Sequence, residues 1–337
     1  MKIIISAYDR TSSGISSYTF ELAKLLSRDF DVTLLSFDDI ELTGIKVLKM
    51  NLSSRFRVFP LLTFLRNRGE VRNILQDFDI VHETLPPWGS PAEVLVSTKW
   101  GYLPYWRLSL VRLSGLSFPE NLGAFPVTFQ HYLMDGLSRR NAKYVIDVSR
   151  ESPFFVPPPI ELRPPKDYQC STMKLLFVSR DLGMPRKNLR IVLEALKIVK
   201  RPVELHLVGK GRIPEPKPTF PIVNHGFLSR DEVFTLMREV DVLILPSNYE
   251  ELGFVGLEAY SVGLPVITSD IPSFRAVFKI SPKFNPKDPK SLANILESLS
   301  CEELKILGKE SREYVVKANE VARKRLSEIY KYVGQLS

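Results

Sequence analysis

Two patterns of apolar positions alternate along this chain. Short runs rich in Val, Ile and Leu recur at Lys2–Ala7 (KIIISA), Asp31–Ser36 (DVTLLS), Asp79–His82 (DIVH), Lys174–Ser179 (KLLFVS), Glu204–Val208 (ELHLV), Ile222–Phe227 (IVNHGF), Val242–Leu245 (VLIL) and Pro265–Ser269 (PVITS). Between them lie longer stretches with helical spacing, such as Tyr18, Leu22, Leu25 and Leu26, then Phe64–Leu75, Leu189–Val199 and Ser229–Glu239. Nearly continuous apolar runs bounded by turn residues predict strands covered on both faces, and their alternation with amphipathic helices predicts parallel, doubly wound sheets. Ser229 followed three residues later by Glu232 adds a capping box at one helix start.

At 337 residues the chain exceeds what one core usually supports, so the expected fold class is α/β with two domains, a size that two Rossmann-like halves fit. The proline-rich segment Val156–Glu161 (VPPPIE) is a stiff connector, which places the boundary near residue 160, between domains 1–160 and 161–318. A hydrophobic fraction of 44% and a charged fraction of 25% are those of an ordinary globular chain rather than a disordered one. No apolar run approaches the roughly 18 residues that span a bilayer. The opening MKIIISAYDR reads as a first strand rather than a leader, so a cytoplasmic location is expected. Cys170 and Cys301 have no His or Cys neighbours at ligand spacing and predict neither a disulfide framework nor a zinc site, but packing or surface residues.

Lys and Arg outnumber Asp and Glu by 46 − 38 = 8, which favours anionic partners. The basic residues are scattered and no nucleic-acid module is visible, so a nucleic-acid-binding role ranks last.

The richest stretch is Pro246–Pro265, PSNYEELGFVGLEAYSVGLP. It follows the run Val242–Leu245, so the chain turns there at the carboxyl end of a strand. It carries Glu250 and Glu258 with Gly253 between them, and reads as a helix from Gly253 to Tyr260 that stops near Gly263-Leu264-Pro265. A helix mouth at a strand end suits phosphate, because unpaired backbone N–H groups and the helix dipole both favour an anion.

The order Pro-Ser, Glu-x7-Glu with an internal glycine, then Gly-Leu-Pro-Val resembles the nucleotide-sugar signature of the family 4 retaining glycosyltransferases, whose GT-B fold implies two Rossmann-like domains facing a central cleft. The family writes Gly-Phe after the first Glu; this chain has Glu251-Leu252. The resemblance implies a donor nucleotide-diphosphate sugar whose diphosphate is gripped by Arg180 and Lys187, with Asn188 where the family has glycine. It implies that Glu258 holds the ribose, that Glu250 faces the sugar, and that backbone N–H groups near Gly253 and Phe254 touch the sugar or phosphate. Gly14, in the loop SSGISS, stands for a glycine pair near the reaction centre. Gly209, in Gly209-Lys210-Gly211, resembles the family's Gly-x-Gly turn, and His225-Gly226-Phe227 matches the region lining the base.

On the acceptor side Trp100 replaces the family's His, leaving His131 and His82 as imidazole candidates. Asp77-Phe78-Asp79 has the form of a metal-binding Asp-x-Asp but precedes a strand as a turn, and the family implies no metal and no other cofactor. Arg55–Arg68 and Tyr102–Leu113 mix basic and bulky apolar residues, as do surfaces that meet anionic lipid at an inner membrane face. A terminal helix from Glu302 is expected, its part from residue 319 packing back on the amino-terminal domain. The expected function is a retaining, metal-independent hexosyltransferase-type enzyme acting on a glycan, a lipid-linked acceptor or a small molecule. The alternative is a non-catalytic nucleotide-sugar-binding or scaffold protein of the same fold.

Overall fold

The computed structural model describes residues 1–7, 14–36, 40–50, 60–84, 96–99, 140, 142–168, 172–214 and 220–336. The chain divides into two compact units, one holding the described residues up to Pro159 together with those from Ala318 onward, the other holding Ile160–Lys317.

The first unit contains β1 (Lys2–Ala7), α1 (Gly14–Leu26), β2 (Asp31–Ser36), β3 (Lys46–Lys49), α2 (Pro60–Leu75), β4 (Ile80–Glu83), β5 (Val96–Lys99) and β6 (Tyr144–Asp147). Among the described residues its sheet has six strands, all parallel, in the order β3-β2-β1-β4-β5-β6. The second unit contains β7 (Met173–Asp181), a short 3-10 turn at Pro185–Lys187, α3 (Leu189–Leu196), β8 (Val203–Lys210), β9 (Ile222–Asn224), α4 (Arg230–Glu239), β10 (Val242–Leu245), α5 (Phe254–Val262), β11 (Val266–Ser269), α6 (Pro272–Val277), β12 (Lys283–Phe284) and α7 (Pro289–Ser298). Its sheet runs β12-β11-β10-β7-β8-β9, again parallel. Numbered within the unit this is the same doubly wound order as the first, with the direction of winding reversing between β7 and β10. Ligands of such sheets bind outside the carboxyl ends of the strands at that reversal.

The two-sided burial read from the sequence is present: Val242, Leu243, Ile244 and Leu245 are all inaccessible or nearly so. The core of the second unit joins Phe177 and Leu207 of the sheet to Val192 of α3 and Leu292 and Leu296 of α7. Helix α4 starts with both halves of the expected capping box between Ser229 and Glu232. The sequence reading missed the edge strands β3 and β12, which are short and only partly apolar.

The last helix, α8 (Cys301–Gly334), is one uninterrupted element of 34 residues that begins in the second unit and ends in the first. Leu304 joins the core of the second unit. Ala322, Leu326, Tyr330 and Val333 are buried at helical spacing, and Arg323 grips Asp29 through two hydrogen bonds of 2.7 and 2.5 Å. Cys301 is disulfide-bonded, contrary to the expectation of an unpaired thiol; the one other cysteine of the sequence, Cys170, lies outside the described residues. Spacing along the chain says nothing about which distant thiols the fold brings together. Asp79 acts as a turn residue, its carboxylate accepting a hydrogen bond from the backbone N–H of Lys2 at 2.7 Å.

His82 is not placed as an acceptor-side imidazole. It is fully buried on β4, with Nδ1 2.5 Å from the Tyr330 hydroxyl and Nε2 2.8 Å from Thr98 Oγ1. Burial pushes its imidazole down from the ordinary value to about 3. An unfolded chain takes up a proton near pH 6.5 that the folded one binds only near pH 3. Stability is therefore full above the ordinary histidine range and falls as pH drops, by about 1.4 kcal/mol per pH unit from this group. Urea unfolding between about pH 4.5 and 6.5 should show a shallower pH slope for His82→Gln than for the parent chain; equal slopes would show that His82 is not the buried titrating group.

Candidate functional site

The loops that leave β7 and β10, the two strands at the winding reversal, carry the groups that the sequence singled out. Met184 is extended, Pro185 opens the 3-10 turn, and Asn188 ends it in the left-handed region with φ 56° and ψ 39°. Asn tolerates that conformation better than other residues with a side chain, which explains how Lys187-Asn188 can stand where the family writes Lys-Gly. Asn188 Nδ2 donates to Asn248 Oδ1 at 3.3 Å and to the Pro286 carbonyl at 3.1 Å. The backbone N–H of Asn248 donates in turn to the Arg186 carbonyl at 2.8 Å. These bonds tie the loop after β7 to the loop after β10, although some 60 residues separate them.

The result is a charge cluster on Glu250. Its Oε2 meets Lys187 Nζ in direct contact and Arg186 Nη1 at 3.2 Å, while Oε1 lies 3.4 Å from the same Arg186 nitrogen. The Glu250 side chain is 13% exposed. Burial alone would push its carboxyl up, but the charges of Lys187 and Arg186 outweigh burial and hold it below the usual carboxylate range. The Glu250 carbonyl also accepts from Ser273 Oγ at 2.5 Å, which fixes the backbone.

Beyond Glu250 the chain enters α5 through Gly253 at φ 69°, a left-handed N-cap with no side-chain cap. No acidic residue occupies the first turn of α5. The helix is buried except at the half-buried Val255, starting at Phe254 rather than at Gly253 and running two residues past Tyr260. An added Cβ at Gly253 would come within 2.7 Å of the Phe274 ring, so the helix mouth is held closely against α6. Glu258, one turn further in, is buried and accepts from Arg230 Nε at 2.6 Å.

The third loop follows β8. Gly209 and Gly211 have φ of +149° and +90°, and the Gly209 N–H donates to the Gly226 carbonyl at 2.7 Å. Phe227 is 54% exposed, with Lys210 Nζ 5.1 Å from its ring centroid. His206 and His225 stack with centroids 5.2 Å apart, their Nδ1 and Nε2 atoms separated by 2.9 Å. His206 Nε2 is 2.7 Å from Glu204 Oε1.

Of the site residues read from the sequence, the fold gathers Lys187, Glu250, Gly253, Phe254 and Glu258 around the two central loops. Arg180 is brought to the end of β7 but is exposed and makes no ion pair among the described residues. Gly14 is the first residue of α1. Trp100 and His131 lie outside the described residues, as do 102–113 and 55–59. On the described part of α2, Leu65, Arg66 and Arg68 are exposed.

Sequence reasoning missed Arg186 and Arg230, the partners of the two glutamates. The only signal for Arg186 was the doubled cation in Pro185-Arg186-Lys187-Asn188; Arg230 carried none beyond its place at a helix start.

Two sheets wound in the same order, with a charged site at the winding reversal of the second, define a two-unit GT-B protein. Solved structures share that architecture over the whole chain. A sucrose-phosphate synthase from Thermosynechococcus elongatus superposes with a TM-score of 0.74 at 16% identity, covering 100% of both chains. Anabaena Alr3699/HepE, solved in complex with UDP-glucose, gives 0.60 at 14% identity over 97% of this chain and 100% of that one. Residues 172–301 match the family described as glycosyl transferases group 1. A protein of Methanocaldococcus jannaschii named as an uncharacterized glycosyltransferase is 23% identical over 93% of both sequences. The chain thus has the GT-B fold and is similar, over residues 172–301, to the group 1 glycosyl transferases.

Proposed function

We propose that this protein is a retaining glycosyltransferase that takes a sugar from a nucleotide-diphosphate donor without a metal. The observation that carries the reading is the convergence of Lys187 and Glu250 at the winding reversal of the second sheet, beside a helix mouth without a side-chain cap. The UDP-glucose bound by Alr3699/HepE, a protein of the same fold, supports a donor of this class.

In this reading Lys187 and Arg180 neutralise the charge that builds on the departing diphosphate, work that a divalent cation does elsewhere. Backbone N–H groups at Gly253 and Phe254 take the phosphate or the sugar, Glu258 takes the ribose hydroxyls, and Glu250 orients the sugar ring. Phe227 offers a face for the base. The bond from the anomeric carbon to the diphosphate oxygen breaks while the acceptor oxygen bonds on the same face. The acceptor's proton passes to the leaving phosphate, so no protein nucleophile is needed. Gly14 stands at the mouth of α1, where the acceptor side of the reaction centre would be. The acceptor is a glycan, a lipid-linked sugar or a small molecule.

A thermal-shift screen against nucleotide sugars and free nucleotides tests the donor. A ligand at 100 times its dissociation constant stabilises by about 2.7 kcal/mol, which a melting curve resolves readily. One base and one sugar should stand out; no shift across the panel would sink the nucleotide-sugar reading. Binding without turnover over a broad acceptor panel would favour a non-catalytic protein.

A further inference from the structure

Glu250 has two cationic partners, and Lys187 is asked to serve two anions. A buried carboxylate stripped of its cation is strongly unfavourable, so drawing Lys187 away to a diphosphate would be opposed unless another charge stayed behind. Arg186 is placed to be that charge. A single Nη1 atom of Arg186 lies 3.2 and 3.4 Å from the two Glu250 oxygens, whereas Lys187 contacts Oε2 alone. The backbone of Arg186 is pinned to the loop that carries Glu250, through the Asn248 N–H and through Asn248 Nδ2 on the neighbouring Pro185 carbonyl at 3.4 Å. Lys187 ends in a compact ammonium on a flexible four-carbon stem; Arg186 ends in a planar fork matched to a carboxylate. The mobile cation can therefore leave while the fork remains.

We propose that Arg186 is a positioning residue, a standby partner that keeps Glu250 neutralised and so frees Lys187 for the diphosphate of the donor. The inference rests on the donor-site reading above and adds to it a residue that does not itself touch the donor. In the free protein one carboxylate compensates two cations. In the donor complex the same Glu250–Arg186 pair persists and Lys187 moves to phosphate oxygens, so no buried charge is left alone at either stage.

Calorimetric titration of the full chain with UDP and with GDP tests this through a double-mutant cycle. Arg186→Gln should weaken the nucleoside diphosphate about tenfold, because Lys187 is then retained by Glu250, and Arg186→Lys should recover most of the loss. In a Glu250→Gln background, where Lys187 is already free, adding Arg186→Gln should change affinity by less than about twofold. Equal weakening in both backgrounds would mean that Arg186 binds phosphate directly, and no weakening in either would mean that it does nothing for the donor; both results overturn the proposal. Lys187→Ala separates the two levels. If that variant binds as well as the parent, or if the parent binds neither nucleotide, the donor-site reading itself fails and takes this inference with it.

Discussion

Lys187→Ala should lower transfer by at least tenfold, roughly 1.4 kcal/mol or more of barrier. Two effects add. The departing diphosphate loses a preorganised cation at the point where its charge grows, and removal of one such electrostatic group commonly costs several kcal/mol. Glu250 also loses its closest counter-charge. Burial, which pushes that carboxyl up, is then opposed by Arg186 alone. The loss should therefore worsen at mildly acidic pH, where a raised carboxyl begins to take a proton; the parent, with its carboxyl held low, should keep its activity there. Steady-state rates across pH measure both effects, with Lys197→Ala, an exposed lysine at the carboxyl end of α3, as a control. Near-parental rates for Lys187→Ala would remove it from the site.

The second large effect is structural and sits beside the same site. A Cβ at Gly209 would lie 2.0 Å from the Ser179 carbonyl oxygen and 3.2 Å from Leu182 Cδ2, at a φ of +149° that residues with side chains rarely adopt. The obstacle is backbone of β7, the neighbouring strand, and cannot rotate away. Gly209→Ala should thus destabilise the second unit by about 3 kcal/mol or more, combining backbone strain with overpacking. Nucleotide affinity should fall with it, since β7 and β8 would part at their carboxyl ends. Gly69→Ala is the contrast: this glycine is on the exposed part of α2 with nothing within 4 Å of an added Cβ, and alanine there should hold or raise stability. Denaturant unfolding of the two variants decides the matter; similar midpoints for both would refute the packing argument.

Much of this molecule is written locally. Val242–Leu245 reads as a buried strand because four adjacent apolar residues leave no face for water, and Pro246 ends it. Gly253 and Gly263 mark the ends of α5 because each stands at positive φ, and the chain places glycine at both. Ser229 and Glu232 announce the start of α4 because a capping box is closed within one turn. Glu250 and Lys187 could be picked out because each lies five or six residues past a strand end, where the chain must turn, whereas Glu258, inside α5, was marked by its place in the Glu-x7-Glu pattern. Boundaries moved by one to three residues, as at α3, which ends at Leu196 rather than Val199.

What the chain could not announce is which of these ends meet. The choice of Arg186 and Lys187, rather than Arg180, as partners of Glu250 follows from β10 lying beside β7 and from the turn of Asn188, contacts across some 60 residues. His82 looked available at a strand end until α8 brought Tyr330 onto it from 248 residues away. Periodicity, caps and turns are short-range physics and determined the elements and the candidate acids. Pairing, burial and charge compensation are long-range, and only the tertiary structure decided them.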